Sequence, residues 1–225
     1  MQKIRAVCFD LDGLMFNTEV IFNEVGHELL RRRDKVMTHD LITAMMGRRA
    51  VEAVQVMIDW HGLPDSAETL IDESQVLFFE LAHNRLEAMP GLYELLETIE
   101  SHEIPKGVAT SSTRSYLEKI LGRFEMIERF HSILTAEDVQ LGKPNPEIYL
   151  KAAARLGVAP SEMLVLEDSQ AGTNAAAAAG AFAVSVPHEH SAAHDFSNAS
   201  LVAESLHDPR VLALVRGETR AIRQP

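Results

Sequence analysis

A chain of 225 residues, 46% hydrophobic and 24% charged, has globular composition and enough apolar material for one large domain or two unequal ones. Its formal net charge of −12 disfavours nucleic acid and anionic membranes as partners, although one local cation can reverse the field inside a cleft and admit a small phosphate ester. The single Cys8 excludes an intrachain disulfide framework, no stretch is apolar and long enough to span a bilayer, and no signal-peptide pattern is present, so a reducing, cytoplasmic setting is expected.

Ile4 to Phe9 reads as a short, largely buried strand of a parallel sheet, with Cys8 as a core residue. Asp10-Leu11-Asp12-Gly13 emerges where that strand should stop. Two carboxylates so placed are costly without a cation or a reaction to run. From Phe16 to about Ala88 the pattern turns helical, as in Val20-Ile21-Phe22-Val25 and Val51-Val54-Ile58. Roughly 70 residues is far longer than a βα connection. Residues 16–88 are therefore read as an inserted helical domain, and residues 1–15 with 89–225 as an α/β domain. Met37, Met45, Met46, Met57, Met89 and Trp60 are assigned to core packing.

Four further apolar runs read as strands: Pro105 to Thr110, His131 to Thr135, Glu162 to Leu166 and Ala181 to Val186. Helical patterns alternate with them over residues 92–101, 115–121, 146–156 and 171–179, which predicts a doubly wound parallel sheet. Ala175 to Ala179 before Gly180 reads as a closely packed helix ended by glycine. Leu201 to Leu206 is read as a last edge strand, followed by a short helix around residues 211–215. His188, His190 and His194 are read as part of a solvated loop, with a metal site as the alternative that no Cys or carboxylate spacing supports.

In an open α/β sheet, ligands bind beyond the carboxyl ends of the strands. Those ends carry Asp10 and Asp12, then Thr110-Ser111-Ser112, then Leu141-Gly142-Lys143-Pro144, then Glu167-Asp168-Ser169. Four carboxylates need a cation, and an all-oxygen ligand set favours Mg²⁺ over Zn²⁺. Thr110 and the amides after it can hold phosphate oxygens, and Lys143 can supply positive charge to the same group. One carboxylate can attack phosphorus while another manages the proton on the leaving oxygen.

This ordered set resembles the haloacid dehalogenase (HAD) superfamily, in the subgroup with a helical cap inserted after the first strand. The resemblance covers nearly the whole chain and rests on Asp10-Leu11-Asp12-Gly13-Leu14, Thr110-Ser111-Ser112, Lys143-Pro144 and Glu167-Asp168-Ser169-Gln170-Ala171-Gly172. It implies a Rossmann-like core in which Asp10 is the nucleophile, forming an aspartyl-phosphate. Asp12 would protonate the leaving group and then activate water. Thr110 and the Ser111 amide would hold the phosphoryl group, with Lys143 neutralising it. Mg²⁺ would be bound by Asp10, Asp168 and the Asp12 backbone carbonyl, with Glu167 steadying those ligands.

Asp12 points to phosphoryl transfer, because relatives that break carbon–halogen bonds lack a carboxylate there. The β-phosphoglucomutases resemble this chain in cap type and motif layout, but they carry a His in the first cap helix where Phe22 stands here. They also carry an Arg shortly after a cap Gly; here Gly47-Arg48-Arg49 brings it one or two positions earlier. The expectation is a monomeric, Mg²⁺-dependent phosphatase acting on a small phosphorylated metabolite such as a sugar phosphate, with Arg48 and Arg49 facing the substrate. A phosphomutase is the alternative. A non-enzymatic binding module is disfavoured, because Asp10, Asp12, Lys143 and Asp168 are all kept. Asn17 stands where these relatives usually have Asp.

Overall fold

β1 (Ala6–Phe9) is buried along its whole length, because its four side chains are apolar on both faces of the sheet. The computed structural model describes residues 3–45 and 50–218. The chain divides into two compact units, Met1–Phe16 with Ala88–Pro225, and Asn17–Glu87.

The second unit is helical. It contains α1 (Thr18–Arg31), α2 (His39–Met45), α3 (Ala50–His61) and α4 (Ala67–Ala82). Ile21, Val25, Leu29 and Leu30 of α1 and Leu70, Leu77 and Phe78 of α4 are buried at the three- and four-residue spacing of helix faces. Arg33 is held by a fork of hydrogen bonds to Asp65 and by a further one to Glu73, at 2.7–3.0 Å. Met57 is buried, as the core reading requires, but Trp60 is 49% exposed. That correction has a simple cause: the buried residues of α3 are Met57 and Ile58, and Trp60 lies beyond that narrow stripe.

The first unit resumes with α5 (Leu92–Ser101), β2 (Lys106–Ala109), α6 (Arg114–Arg123), β3 (Ser132–Leu134) and α7 (Glu147–Leu156). It continues with β4 (Met163–Glu167), α8 (Gln170–Ala178), β5 (Phe182–Ser185), β6 (Leu201–Val202) and α9 (Pro209–Arg216). All six strands are parallel, in the order β3-β2-β1-β4-β5-β6. This is the doubly wound α/β sheet expected from the alternating pattern. One face is packed by Ala6, Cys8, Val165 and Ala183 against Ile148, Tyr149 and Ala152 of α7 and Ala175 and Ala176 of α8. Burial pushes the Cys8 thiol up to about 12, which suits a core residue and not a nucleophile.

The last strand is shorter than expected. The Ala203 amide still donates to the Ser185 carbonyl at 2.8 Å, but the chain then turns. Asp208 accounts for this, since its carboxylate accepts from the Glu204 and Arg210 amides and caps α9. No helix among the described residues is long and apolar enough to cross a membrane.

Candidate active site

Strand order reverses between β1 and β4, and the carboxyl ends of these two neighbours carry the acidic residues. The Asp10 amide continues the ladder to the Leu166 carbonyl at 3.0 Å, which fixes Asp10 at the mouth of the sheet. Lys143 reaches the same point from the segment before α7. Its ammonium donates to Asp10 Oδ1 at 2.5 Å, to Glu167 Oε1 at 2.6 Å and to the Ala109 carbonyl at 3.0 Å. All three side chains are buried. Burial pushes the Asp10 carboxyl well above the usual carboxylate range; Lys143 opposes this, while Glu167, Asp168 and Asp12 reinforce it. Burial pulls the Lys143 ammonium down, but Asp10 and Glu167 outweigh it and leave the group above its ordinary value.

Glu167 is the hub of the buried arrangement. Oε1 also accepts from the Tyr149 hydroxyl at 2.5 Å, and Oε2 accepts from the Ser169 hydroxyl at 2.9 Å. The Lys143 ammonium lies 5.1 Å from the centre of the Tyr149 ring, within cation–π range. Gly172, in the first turn of α8, makes this packing possible: a Cβ there would lie 1.7 Å from Glu167 Oε1. Gly13 plays a similar part near Asp168. Its φ of +76° favours glycine, and a Cβ would come within 2.3 Å of Asp168 Oδ2.

Asp12 is half-buried and is held by a different set of groups. The Ser112 hydroxyl donates to its Oδ2 at 2.6 Å, the Tyr116 hydroxyl to its Oδ1 at 2.8 Å, and Thr110 to Oδ2 at 3.4 Å. The loop carrying these donors is itself fixed. The Thr110 amide donates to the Leu134 carbonyl, the Ala136 amide to the Ser112 carbonyl, and the Ser112 amide to Thr110 Oγ1, all at 3.0 Å. Thr113 caps α6, so Thr110, Ser111 and Ser112 are left outside the helix start. Ser111 is exposed beside buried Thr110.

Asp10, Glu167 and Asp168 are buried and can each turn an oxygen to within 4.8 Å of the others. Three buried carboxylates, two of them paired with one ammonium, all offer oxygen and fit a hard divalent cation. Beside them His188 Nε2 lies 2.8 Å from Asp168 Oδ2. For His188 and His194 the reading as a merely solvated loop is thereby corrected. His188 is drawn in by Asp168, and His194 Nδ1 accepts from the Gln170 amide at the start of α8 at 3.3 Å.

The structure thus brings Asp10, Asp12, Thr110, Lys143, Glu167 and Asp168 to one end of the sheet, with Ser111 next to them. Arg48 and Arg49 lie outside the described residues. Sequence reasoning missed Tyr116, Tyr149 and His188. For the two tyrosines a signal existed: each lies on an otherwise apolar helix face, where a buried phenol needs a partner.

The sequence model for haloacid dehalogenase-like hydrolases matches residues 7–186. The chain is 33% identical over 181 residues to a phosphorylated carbohydrates phosphatase of Thermotoga maritima, covering 79% of this chain and 82% of that protein. It is 30% identical over 206 residues to a bifunctional riboflavin kinase/FMN phosphatase of Arabidopsis thaliana. That match covers 91% of this chain and 54% of the plant protein, so the chain spans about half of that relative's length. The crystal structure of CbbY from Rhodobacter sphaeroides in complex with phosphate superposes with a TM-score of 0.84, at 24% identity, over 95% of this chain and 99% of that one. With its sheet order, its strand-end carboxylates and its sequence agreeing, the chain belongs to the haloacid dehalogenase-like hydrolase family.

Proposed function

We propose that this protein is a Mg²⁺-dependent phosphatase that hydrolyses a small phosphorylated metabolite, a sugar phosphate above all, through an aspartyl-phosphate on Asp10. The observation that carries this reading is the division of labour between Asp10 and Asp12. Asp10 is buried against Lys143, whereas Asp12 is half-buried and accepts from the hydroxyl groups of Ser112, Tyr116 and Thr110. Two carboxylates one residue apart therefore have environments suited to nucleophile and proton carrier.

In the first step an Asp10 oxygen bonds to phosphorus as the ester P–O bond breaks, and the leaving oxygen takes the proton of Asp12. In the second, water attacks the aspartyl-phosphate, Asp12 takes its proton, and phosphate leaves with Asp10 restored. Lys143 offsets charge on Asp10 and the transferring group. Thr110 and the Ser111 amide hold phosphoryl oxygens. Asp10, Asp168 and the Asp12 backbone carbonyl would hold the cation, and Glu167 would steady Lys143. When bound, Mg²⁺ supplies positive charge to the phosphoryl oxygens.

The phosphatase reading is preferred to a phosphomutase because Phe22 packs on Phe78, with ring centres 4.5 Å apart, and offers no group for proton transfer. The relatives named above as phosphatases support the same reaction class. The test is phosphate release from a panel of sugar and other metabolite phosphates, with and without Mg²⁺, using Asp10→Asn as control. The expected result is Mg²⁺-dependent release that the variant loses while keeping its fold. Conversion of β-glucose 1-phosphate to glucose 6-phosphate with little release would overturn the phosphatase reading in favour of the mutase. Activity retained by Asp10→Asn would overturn the nucleophile assignment.

A further inference from the structure

Both oxygens of Asp12 are held, and the group on Oδ1 comes from outside the loops that surround the phosphate position. Tyr116 lies in the first turn of α6, is almost fully buried, and donates to Asp12 Oδ1 at 2.8 Å. Its backbone is fixed by the helix cap, as the Tyr116 amide donates to Thr113 Oγ1 at 3.4 Å. The start of α6 is pinned further by the Arg114 amide on Glu137 and the Arg114 guanidinium on Asp138. Tyr116 is therefore a rigid post, whereas Ser112 on Oδ2 belongs to the loop itself.

The chemistry of the hold matters as much as its rigidity. Asp12 must be protonated when it serves the leaving oxygen and ionised when it serves water. A Lys or Arg partner would favour the ionised form and oppose the first role. Hydroxyl groups both donate and accept, so Tyr116 and Ser112 can keep the carboxyl group oriented in either protonation state. A lone carboxyl three residues beyond a strand would otherwise rotate among its rotamers, and misplacement of a reacting group is costly in rate.

We propose that Tyr116 is the positioning residue for Asp12, holding its carboxyl group in reach of the leaving oxygen through both proton transfers. The proposal rests on the phosphatase reading above. It makes a prediction that a purely structural tyrosine would not. An alkyl phosphate needs a proton on its leaving oxygen, whereas p-nitrophenolate departs without one. Tyr116→Phe should therefore lower kcat/KM for an alkyl phosphate, such as a sugar phosphate, by about 10- to 100-fold. For p-nitrophenyl phosphate the change should be less than about threefold, since general acid help is not required there.

The experiment measures kcat/KM for both substrates with Mg²⁺ in the wild type, Tyr116→Phe, Ser112→Ala, Asp12→Asn and the Tyr116→Phe/Asp12→Asn double variant. Thermal unfolding is followed in each. Expected are a selective loss with the alkyl substrate in Tyr116→Phe and no further loss when that change is added to Asp12→Asn. If Tyr116→Phe does not fold, Ser112→Ala carries the test, with the same selective loss expected through Oδ2. Equal losses on both substrates, a full additional loss in the double variant, or a faster Tyr116→Phe enzyme would overturn the proposal. Those outcomes leave the phosphatase reading standing. Wild-type protein that releases phosphate from neither substrate would overturn that reading and this proposal together.

Discussion

Glu167 shows how much of the candidate site depends on a position that carries no side chain. Its carboxylate links Lys143, Tyr149 and Ser169, and it fits only because Gly172 leaves the space empty. In Gly172→Ala the new methyl would overlap the carboxylate, so Glu167 must leave Lys143 or α8 must shift. Overpacking of this kind costs about 1–3 kcal/mol, and a buried ion pair is disturbed as well. Gly172→Ala is expected to lower the unfolding midpoint and to reduce kcat/KM by on the order of 100-fold, as measured by urea titration and phosphate release. Unchanged kinetics would mean that Glu167 does not organise Lys143. At this scale the sequence was informative wherever charge stood at a strand end. Asp10, Asp12, Glu167 and Asp168 could be found that way, because unpaired charge there is costly, whereas Lys143 lies in the segment between β3 and α7 and was legible from the Lys143-Pro144 motif. Tyr116, Tyr149 and His188 were hidden, since their partners lie 104, 18 and 20 residues away and only the folded chain brings them together.

Strands and helices were more legible than side-chain partners, for a physical reason. A parallel strand buried on both faces must be a continuous apolar run, as Ala6–Phe9 and Met163–Glu167 are for most of their length. β2 breaks that rule mildly: Lys106 is buried, with its ammonium 2.9 Å from Glu100. The terminal region was harder to read, because a two-residue edge strand has almost no pattern and Asp208 redirects the chain into α9. That cap can be tested by pH. Hydrogen bonds from Arg210, with those from the Arg210 and Glu204 amides, hold the Asp208 carboxyl at about 2, against burial, which raises it. An unfolded Asp titrates near 3.9, so the folded value is depressed. The stabilisation is then fully present above about pH 4–5 and is lost as pH falls towards about 2. In Asp208→Asn the side-chain oxygen can keep the cap on the Arg210 amide, but the charge is gone and an NH2 donor replaces the oxygen that accepts from the Glu204 amide. The variant should be less stable than the wild type by about 1 kcal/mol at neutral pH, with the gap narrowing through the acid range as the charge-dependent part is lost. A gap independent of pH in chemical denaturation would show that Asp208 acts through its shape alone.

For the whole molecule, the question is how a helical unit of residues 17–87 is tied off at its own two ends. Asn17 does this with its amide and with both polar atoms of its side chain. Its amide donates to the Glu87 carbonyl at 3.1 Å, its side-chain nitrogen to the Arg85 carbonyl at 3.0 Å, and its side-chain oxygen accepts from the Glu87 amide at 2.8 Å. It precedes α1 directly but forms no side-chain cap, because the side chain is spent on residues 68 and 70 positions away. The Asp usual at this position in the resembling proteins could accept from Glu87 but could not donate to Arg85 while ionised. Asn17→Asp should therefore destabilise the protein by about 1–2 kcal/mol at neutral pH, through one lost hydrogen bond and a carboxylate oxygen facing a carbonyl. Below the pKa of the new carboxyl the group regains a proton to donate, so the deficit should shrink as pH falls through about 4. Asn17→Ala loses both side-chain bonds and should show a deficit that acid does not relieve. Thermal unfolding of the three proteins across that range separates the cases. Equal behaviour of Asp and Asn at neutral pH would mean that the donor to Arg85 contributes nothing, and that the Glu87 contacts alone close the unit.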